Sequence, residues 1–217
     1  MTRRDWYAWH DGYDDPGSVI ARRLTAVQRA IVAALDRYPP GRITALSMCA
    51  GQGRDLIGAL AGHPRGADVV ARLVELDPRN ASVARRAAAG AGLPGIEVVV
   101  GDAALTDNYA GLAPADLVLV CGVFGNIGDA DIHATVAACP QLCRTGGTVL
   151  WTRHRRPPDL VPRICAWYAE AGFELVSVSD PAEPFGLGVH RFAGRPRPLT
   201  RGARIFGDFR RTEPEQS

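Results

Sequence analysis

The chain has 217 residues, of which 47% are hydrophobic and 22% charged, with a formal net charge of +2. That length suits one domain of generous size, or one domain with extensions, of ordinary globular composition. The near-neutral balance argues against a dedicated nucleic-acid surface, and no apolar run reaches the ~20 residues needed to span a bilayer.

In chain order, residues 1–17 set Trp6, Tyr7, Trp9 and Tyr13 among acids without a helical period, which predicts an irregular arm. The same stretch is too polar and acidic for a signal peptide, so a cytoplasmic location is expected. Apolar residues at 20, 24, 27, 31, 32 and 35 predict an amphipathic helix over 19–38. Ser18 suits its N-cap, and Pro39-Pro40-Gly41 stops it. Strands rich in Val, Leu and Ile are then predicted at 43–49, 68–75, 96–100, 115–121 and 146–152. Helices are expected between them at 53–62, 78–90, 129–138 and 158–171, the second started by Asp77-Pro78. Such alternation implies a parallel sheet covered on both faces. Strands 173–179 and 187–193 follow without a helix between them and should be antiparallel. The Arg- and Pro-rich tail is expected to add a short strand around 204–206 before losing order. The organisation expected is an arm and cap helix at 1–40, the main domain at 41–194, and a partly flexible extension at 195–217.

All 25 basic residues are Arg. The absence of Lys excludes Schiff-base chemistry and a phosphate-loop lysine. Five Cys without a CxxC pair read as reduced, mostly buried small residues, and no His pair has metal-ligand spacing.

The most informative segment is Ile43 to Leu56, where an apolar strand breaks at Ala50-Gly51-Gln52-Gly53 before a helical pattern. Glycines there let a ligand approach the backbone, and N–H groups near Gly53–Asp55 at the helix start suit an anion. Glu75 ends the next apolar run and Asp102 follows the one after it. In an open parallel sheet ligands bind beyond the carboxyl ends of the strands, where all three features lie. A nicotinamide or flavin dinucleotide would want a third glycine where this chain has Leu56.

The order of motifs over Ile43 to Ala193 resembles class I S-adenosylmethionine-dependent methyltransferases. The resemblance implies a Rossmann-like, doubly wound, mostly parallel seven-stranded sheet with an antiparallel last strand and helices on both faces. It implies S-adenosyl-L-methionine as cofactor and S-adenosyl-L-homocysteine as product. The turn at Ala50, Gly51 and Gly53 would hold the methionine part, with Glu75 on the ribose diol and Asp102 on the adenine. Leu76, Ala103 and Cys121 flank those positions. The chain departs from the family in having Ser47 where strand one often carries an acid, and Cys49 in place of the turn's first glycine.

Methyl transfer depends on alignment and exclusion of water, and needs a base only if the acceptor must lose a proton. The acceptor is expected beside Cys121 to Asn126, with Phe124 and Asn126 as candidate contacts. The sequence CGVFGN lacks the motif that family members acting on nucleobase amines carry there. His154, in the run Arg153 to Arg156, is the candidate base or substrate ligand, with His190 and His10 behind it. His63 and His133 read as exposed helix-end residues. Trp6, Tyr7, Trp9 and Tyr13 are candidates for a lid with a cation–π contact to the sulfonium. The expectation is a methyltransferase acting on a small molecule, monomeric or homodimeric, without metal, membrane or nucleic-acid partner. Methylation of RNA or protein, and cofactor binding without transfer, are the alternatives.

Overall fold

The computed structural model describes residues 5–207 and 209. Seven strands form one sheet in the order β3-β2-β1-β4-β5-β7-β6. They are β1 (Ile43–Met48), β2 (Val69–Glu75), β3 (Ile96–Val100), β4 (Ala115–Val120), β5 (Cys143–His154), β6 (Phe173–Val178) and β7 (Phe185–Phe192). β1 pairs in parallel with β2 and β4, while β7 runs antiparallel to both β5 and β6. This is the predicted doubly wound sheet, and its order reverses between β1 and β4, where such sheets bind ligands.

Successive strand residues point to opposite faces, so each apolar run builds two cores at once. Leu46, Met48, Val118, Val120 and Trp151 pack with α5 (Asp129–Leu142) and α6 (Val161–Glu170). Ala45, Leu117, Leu119 and Leu150 pack on the other side with α2 (Val19–Leu35), α3 (Leu56–Leu60) and α4 (Pro78–Gly90). Ser18 caps α2 by accepting from Ala21 N (3.1 Å), and Asp77 caps α4 by accepting from Arg79 N (2.8 Å). At the far end of the sheet the buried Asp116 joins β4 to β1, accepting from the N–H and hydroxyl of Thr44 at 2.7 and 2.8 Å.

Four expectations need correction. The arm is not irregular: α1 (Trp6–Trp9) and a 3-10 turn (His10–Asp14) follow Asp5, whose carboxylate caps Tyr7 N at 3.0 Å. The helix expected from residue 53 begins at Leu56, because Gly51 and Gly53 both adopt left-handed φ (56° and 68°). The tail makes one isolated bridge, Leu105 with Arg204, and Ile205 and Phe206 then enter the core. The expected loss of order beyond it falls mostly on residues outside those described. His63 is largely covered, its Nε2 lying 3.3 Å from Asp36. Among the described residues no helix is long and apolar enough to cross a membrane.

Candidate functional site

The site is built where β1, β2, β3 and β4 end. After Met48 the chain turns through Cys49 (φ 49°), Gly51 and Gly53, and Gly53 N–H closes the turn onto Ala50 O at 2.8 Å. A Cβ on Gly53 would meet Ile57 and Leu73 side chains at 2.6 and 2.9 Å, so the turn is pressed against the sheet. Of the N–H groups expected to stand free at the helix start, that of Gly53 is already taken. Gly53 N serves the turn itself, and Leu56 N donates to its own cap, Asp55, at 2.7 Å.

Glu75, only 7% exposed, locks β2 to this turn. Its Oε2 accepts from Gly51 N at 2.8 Å and its Oε1 from Asp77 N at 2.9 Å. Burial raises its pKa above the usual carboxylate value, more than those N–H groups and the neighbouring Asn80 amide lower it. Asn80 is fully buried beside it, and its Oδ1 accepts from Gln52 Nε2 at 3.4 Å. Asp102, half-buried, accepts from Ala104 N at 2.9 Å and pairs with Arg204 at 2.6 Å. Burial, and then the charges of Glu75 and Asp102, push the Cys49 thiol up, so the turn and both carboxylates share one neighbourhood.

A cavity of about 560 Å³ opens beside Glu75, lined also by Leu76, Asp77, Arg79, Asp5 and Trp6. Leu76 is 57% exposed there, an apolar surface at the mouth of a polar site. Ala103, Ala50 and Cys121 are at the same sheet end, on the β3, β1 and β4 exits. Cys121 packs toward the α2 face while Cys49 packs toward the α5 face.

The arm lies over this end. Trp6 lines the cavity, and Trp6, Trp9, His10 and Tyr13 form a chain of edge-on and tilted ring contacts at 5.3–5.8 Å. Tyr7 stands outside, its ring 5.0 Å from the Arg79 guanidinium. His10 is buried with Nδ1–H donating to Trp6 O at 2.7 Å, and its Nε2 faces Gln52 N at 3.4 Å.

On the β4–β5 side the groups are less convergent. Phe124 is fully buried against Trp151, 5.9 Å between rings. Asn126 turns its Nδ2 back to Gly122 O at 2.6 Å. His154 is the last residue of β5 and is partly covered; its Nδ1 accepts from Arg156 N at 3.3 Å, so a neutral ring carries its proton on Nε2. Burial and the charges of Arg153 and Arg156 lower its pKa. Arg153 is buried and donates to Phe124 O. His190 is fully buried in β7, away from the strand ends. No group of three or more His, Cys, Asp or Glu suited to a metal occurs among the described residues.

Asn80, Arg54 and Arg79 join the site without having stood out as members in the sequence, while Gln52 enters as part of the turn and His10, a secondary candidate there, enters beside it. For Arg54 and Arg79 a signal existed: each follows a strand-end motif by one to four residues. His10 and Asn80 reach the site only through folding of the arm and α4, which no local spacing records.

No protein-family model matches the sequence, and no curated protein matches it. Solved structures do match. An O-methyltransferase family protein from Burkholderia thailandensis is 17% identical with a TM-score of 0.65, over 83% of this chain and 58% of that one. A TehB-like SAM-dependent methyltransferase from Corynebacterium glutamicum is 18% identical with a TM-score of 0.56, over 80% and 96%. Magnesium protoporphyrin IX methyltransferase from Synechocystis, solved with SAM, is 16% identical with a TM-score of 0.59, over 78% and 79%. This chain therefore spans little more than half of the Burkholderia protein. At these identities the likeness shows the shared fold.

Proposed function

We propose that the chain is a class I S-adenosylmethionine-dependent methyltransferase acting on a small-molecule acceptor. The observation that carries this reading is the direct bond between Glu75 Oε2 and Gly51 N, which fuses a β2 carboxylate to a glycine turn at the point of sheet reversal. When bound there, S-adenosylmethionine supplies an electrophilic methyl group for in-line displacement.

The residues present fit that cofactor. Glu75 has lone pairs beyond those used by Gly51 and Asp77, so it can accept from two ribose hydroxyls in charge-assisted bonds. The Asn80 amide, near enough to Glu75 to lower its pKa, adds a donor beside it. Leu76 offers an apolar face for a purine, and Asp102 and Ala103 edge the same side. The turn through Ala50, Gly51 and Gly53, with Cys121 opposite, would flank the methionine part. The arm excludes water from this end, and Trp6 or Trp9 offers the ring face that a sulfonium favours. His154, with its proton on Nε2, is suited to donate to an acceptor rather than to deprotonate it.

A small acceptor is favoured over RNA because several arginines of the cluster and the tail are already paired within the chain. Arg155 pairs with Asp159 and Ser179 O, Arg197 donates to Ala137 O, and Arg201 and Arg204 pair with Asp107 and Asp102. A cluster spent on internal bonds leaves little charge for phosphate contacts.

Labelled S-adenosylmethionine incubated with pooled cellular small molecules, RNA and protein fractions tests the reading. Label should enter the small-molecule fraction; label confined to RNA or protein overturns the acceptor class. Cofactor binding without transfer to any fraction overturns the enzyme reading.

A further inference from the structure

Residues 5–14 do more than roof the crevice. A Cβ placed on Gly51 would lie 2.3 Å from His10 Nε2 and 2.9 Å from its Cε1. The imidazole therefore rests directly on the open face of Gly51, with no layer of space between them. Its Nε2, bare because Nδ1–H is held by Trp6 O, points at the Gln52 N–H. His10 thus fills the surface a ligand must touch at the turn, and presents an acceptor where an anionic ligand would present its own.

The arm is fastened at both ends by arginines, one from the glycine turn and one from the start of α4. Arg79, following β2, bonds Asp5 at 2.7 Å and Asp77 at 2.7 Å while lying over Tyr7. Arg54, at the glycine turn, bonds Asp14 at 2.7 Å, lies 5.6 Å from the Tyr13 ring centroid, and holds Gln52 Oε1 at 3.0 Å. Asp5 and Asp14 are exposed, at 51% and 67%, and ion pairs of this kind are weak and screened by salt. The fastening is local and releasable. Gly12 and Gly17 flank the segment's end, and Ser18 Oγ ties it back to α2 through Gly12 O at 2.8 Å.

We propose that the arm is a displaceable strap in which His10 occupies the cofactor's place on Gly51, so that cofactor binding requires His10 to leave and the Asp5 and Asp14 fastenings to yield. This rests on the cofactor reading above. The Gln52 N–H exchanges one acceptor for another as the strap moves, so opening leaves no buried donor unmatched. The aromatic residues of the arm are then free to close again over the bound ligand.

Titration calorimetry with S-adenosylhomocysteine, and amide hydrogen exchange of the full chain with and without it, test the strap. His10→Ala should bind at least about five-fold more tightly than wild type, because apparent affinity scales with the fraction of open molecules. Asp5→Asn keeps an acceptor for Tyr7 N, removes the charge facing Arg79, and should shift affinity the same way; it serves if His10→Ala does not fold. Amides of residues 5–14 should change protection on binding. Equal or weaker binding by the folded variants overturns the strap, as does saturating ligand with unchanged exchange of the arm. Failure of both wild type and variants to bind overturns the cofactor reading itself, and the strap with it.

Discussion

His190 sits in the middle of β7 with no exposed surface, and neither ring nitrogen finds a partner among the described residues. Tyr168 stacks on it at 4.5 Å and Trp151 at 6.1 Å. Burial lowers its pKa to about 4, from 6.5. The unfolded chain takes up this proton as pH falls below 6.5, whereas the folded chain does not until about 4. Stability contributed by the neutral ring is therefore present above 6.5 and lost as pH falls toward 4, by about 3 kcal/mol in all. Denaturant unfolding across that range should show a steeper acid loss for wild type than for His190→Leu. Parallel curves would mean that the folded ring takes up its proton as readily as the unfolded one. The sequence marked His190 only as a secondary candidate for catalysis. Its packing role depends on α6 and β5 closing over β7, which a single strand does not encode. Glu75 was legible because an acid ending an apolar run has few uses apart from a ligand or a cap. Its hydrogen bond to Gly51 N serves the fold as well.

The β1–α3 connection shows what a tight turn pressed against the sheet demands of its residues. Gly53 has φ 68° and stands against Ile57 and Leu73, whereas Gly122 after β4 has φ 76° with nothing near its missing Cβ. Gly122→Ala should cost only the backbone strain, about 1–2 kcal/mol. Gly53→Ala adds a side-chain clash to the same strain and should cost more, about 2–4 kcal/mol, measured by urea unfolding. Equal costs would show that the turn relaxes freely. The strands and their parallel order were readable because buried parallel strands are continuous apolar runs flanked by turn residues. The arm was not, since α1 has four residues and the following 3-10 turn five, too few to reveal a period. One cue existed in Asp5, two residues ahead of the amide it caps. The short α3 was masked by the apolar pattern beginning at Leu56, which looks the same whether the helix starts at 53 or at 56.

At the scale of the molecule, the arm and the described part of the tail meet across the same crevice. Trp6 of the arm packs edge-on against Phe209 of the tail at 5.6 Å, and Phe206 lies 6.4 Å from Phe209. The tail is brought there by Arg204, which pairs with Asp102, and by Ile205 N–H, which donates to Ala104 O at 2.7 Å. One terminal segment thus touches the β2 carboxylate's cavity and the other the β3 carboxylate. The parallel sheet was legible from the alternation of strands and helices, but this closure was not, because contacts between the arm and the tail leave no mark on local sequence. Glu75 and the glycine turn are proposed to form one adenosyl-binding unit. Calorimetric titration of S-adenosylhomocysteine into wild type and Glu75→Gln tests it most directly. Saturable binding by wild type, weakened by about 2 kcal/mol in a folded Glu75→Gln, is the predicted result, from loss of charge-assisted bonds. Unchanged affinity in that variant, or no binding by wild type, would contradict the account.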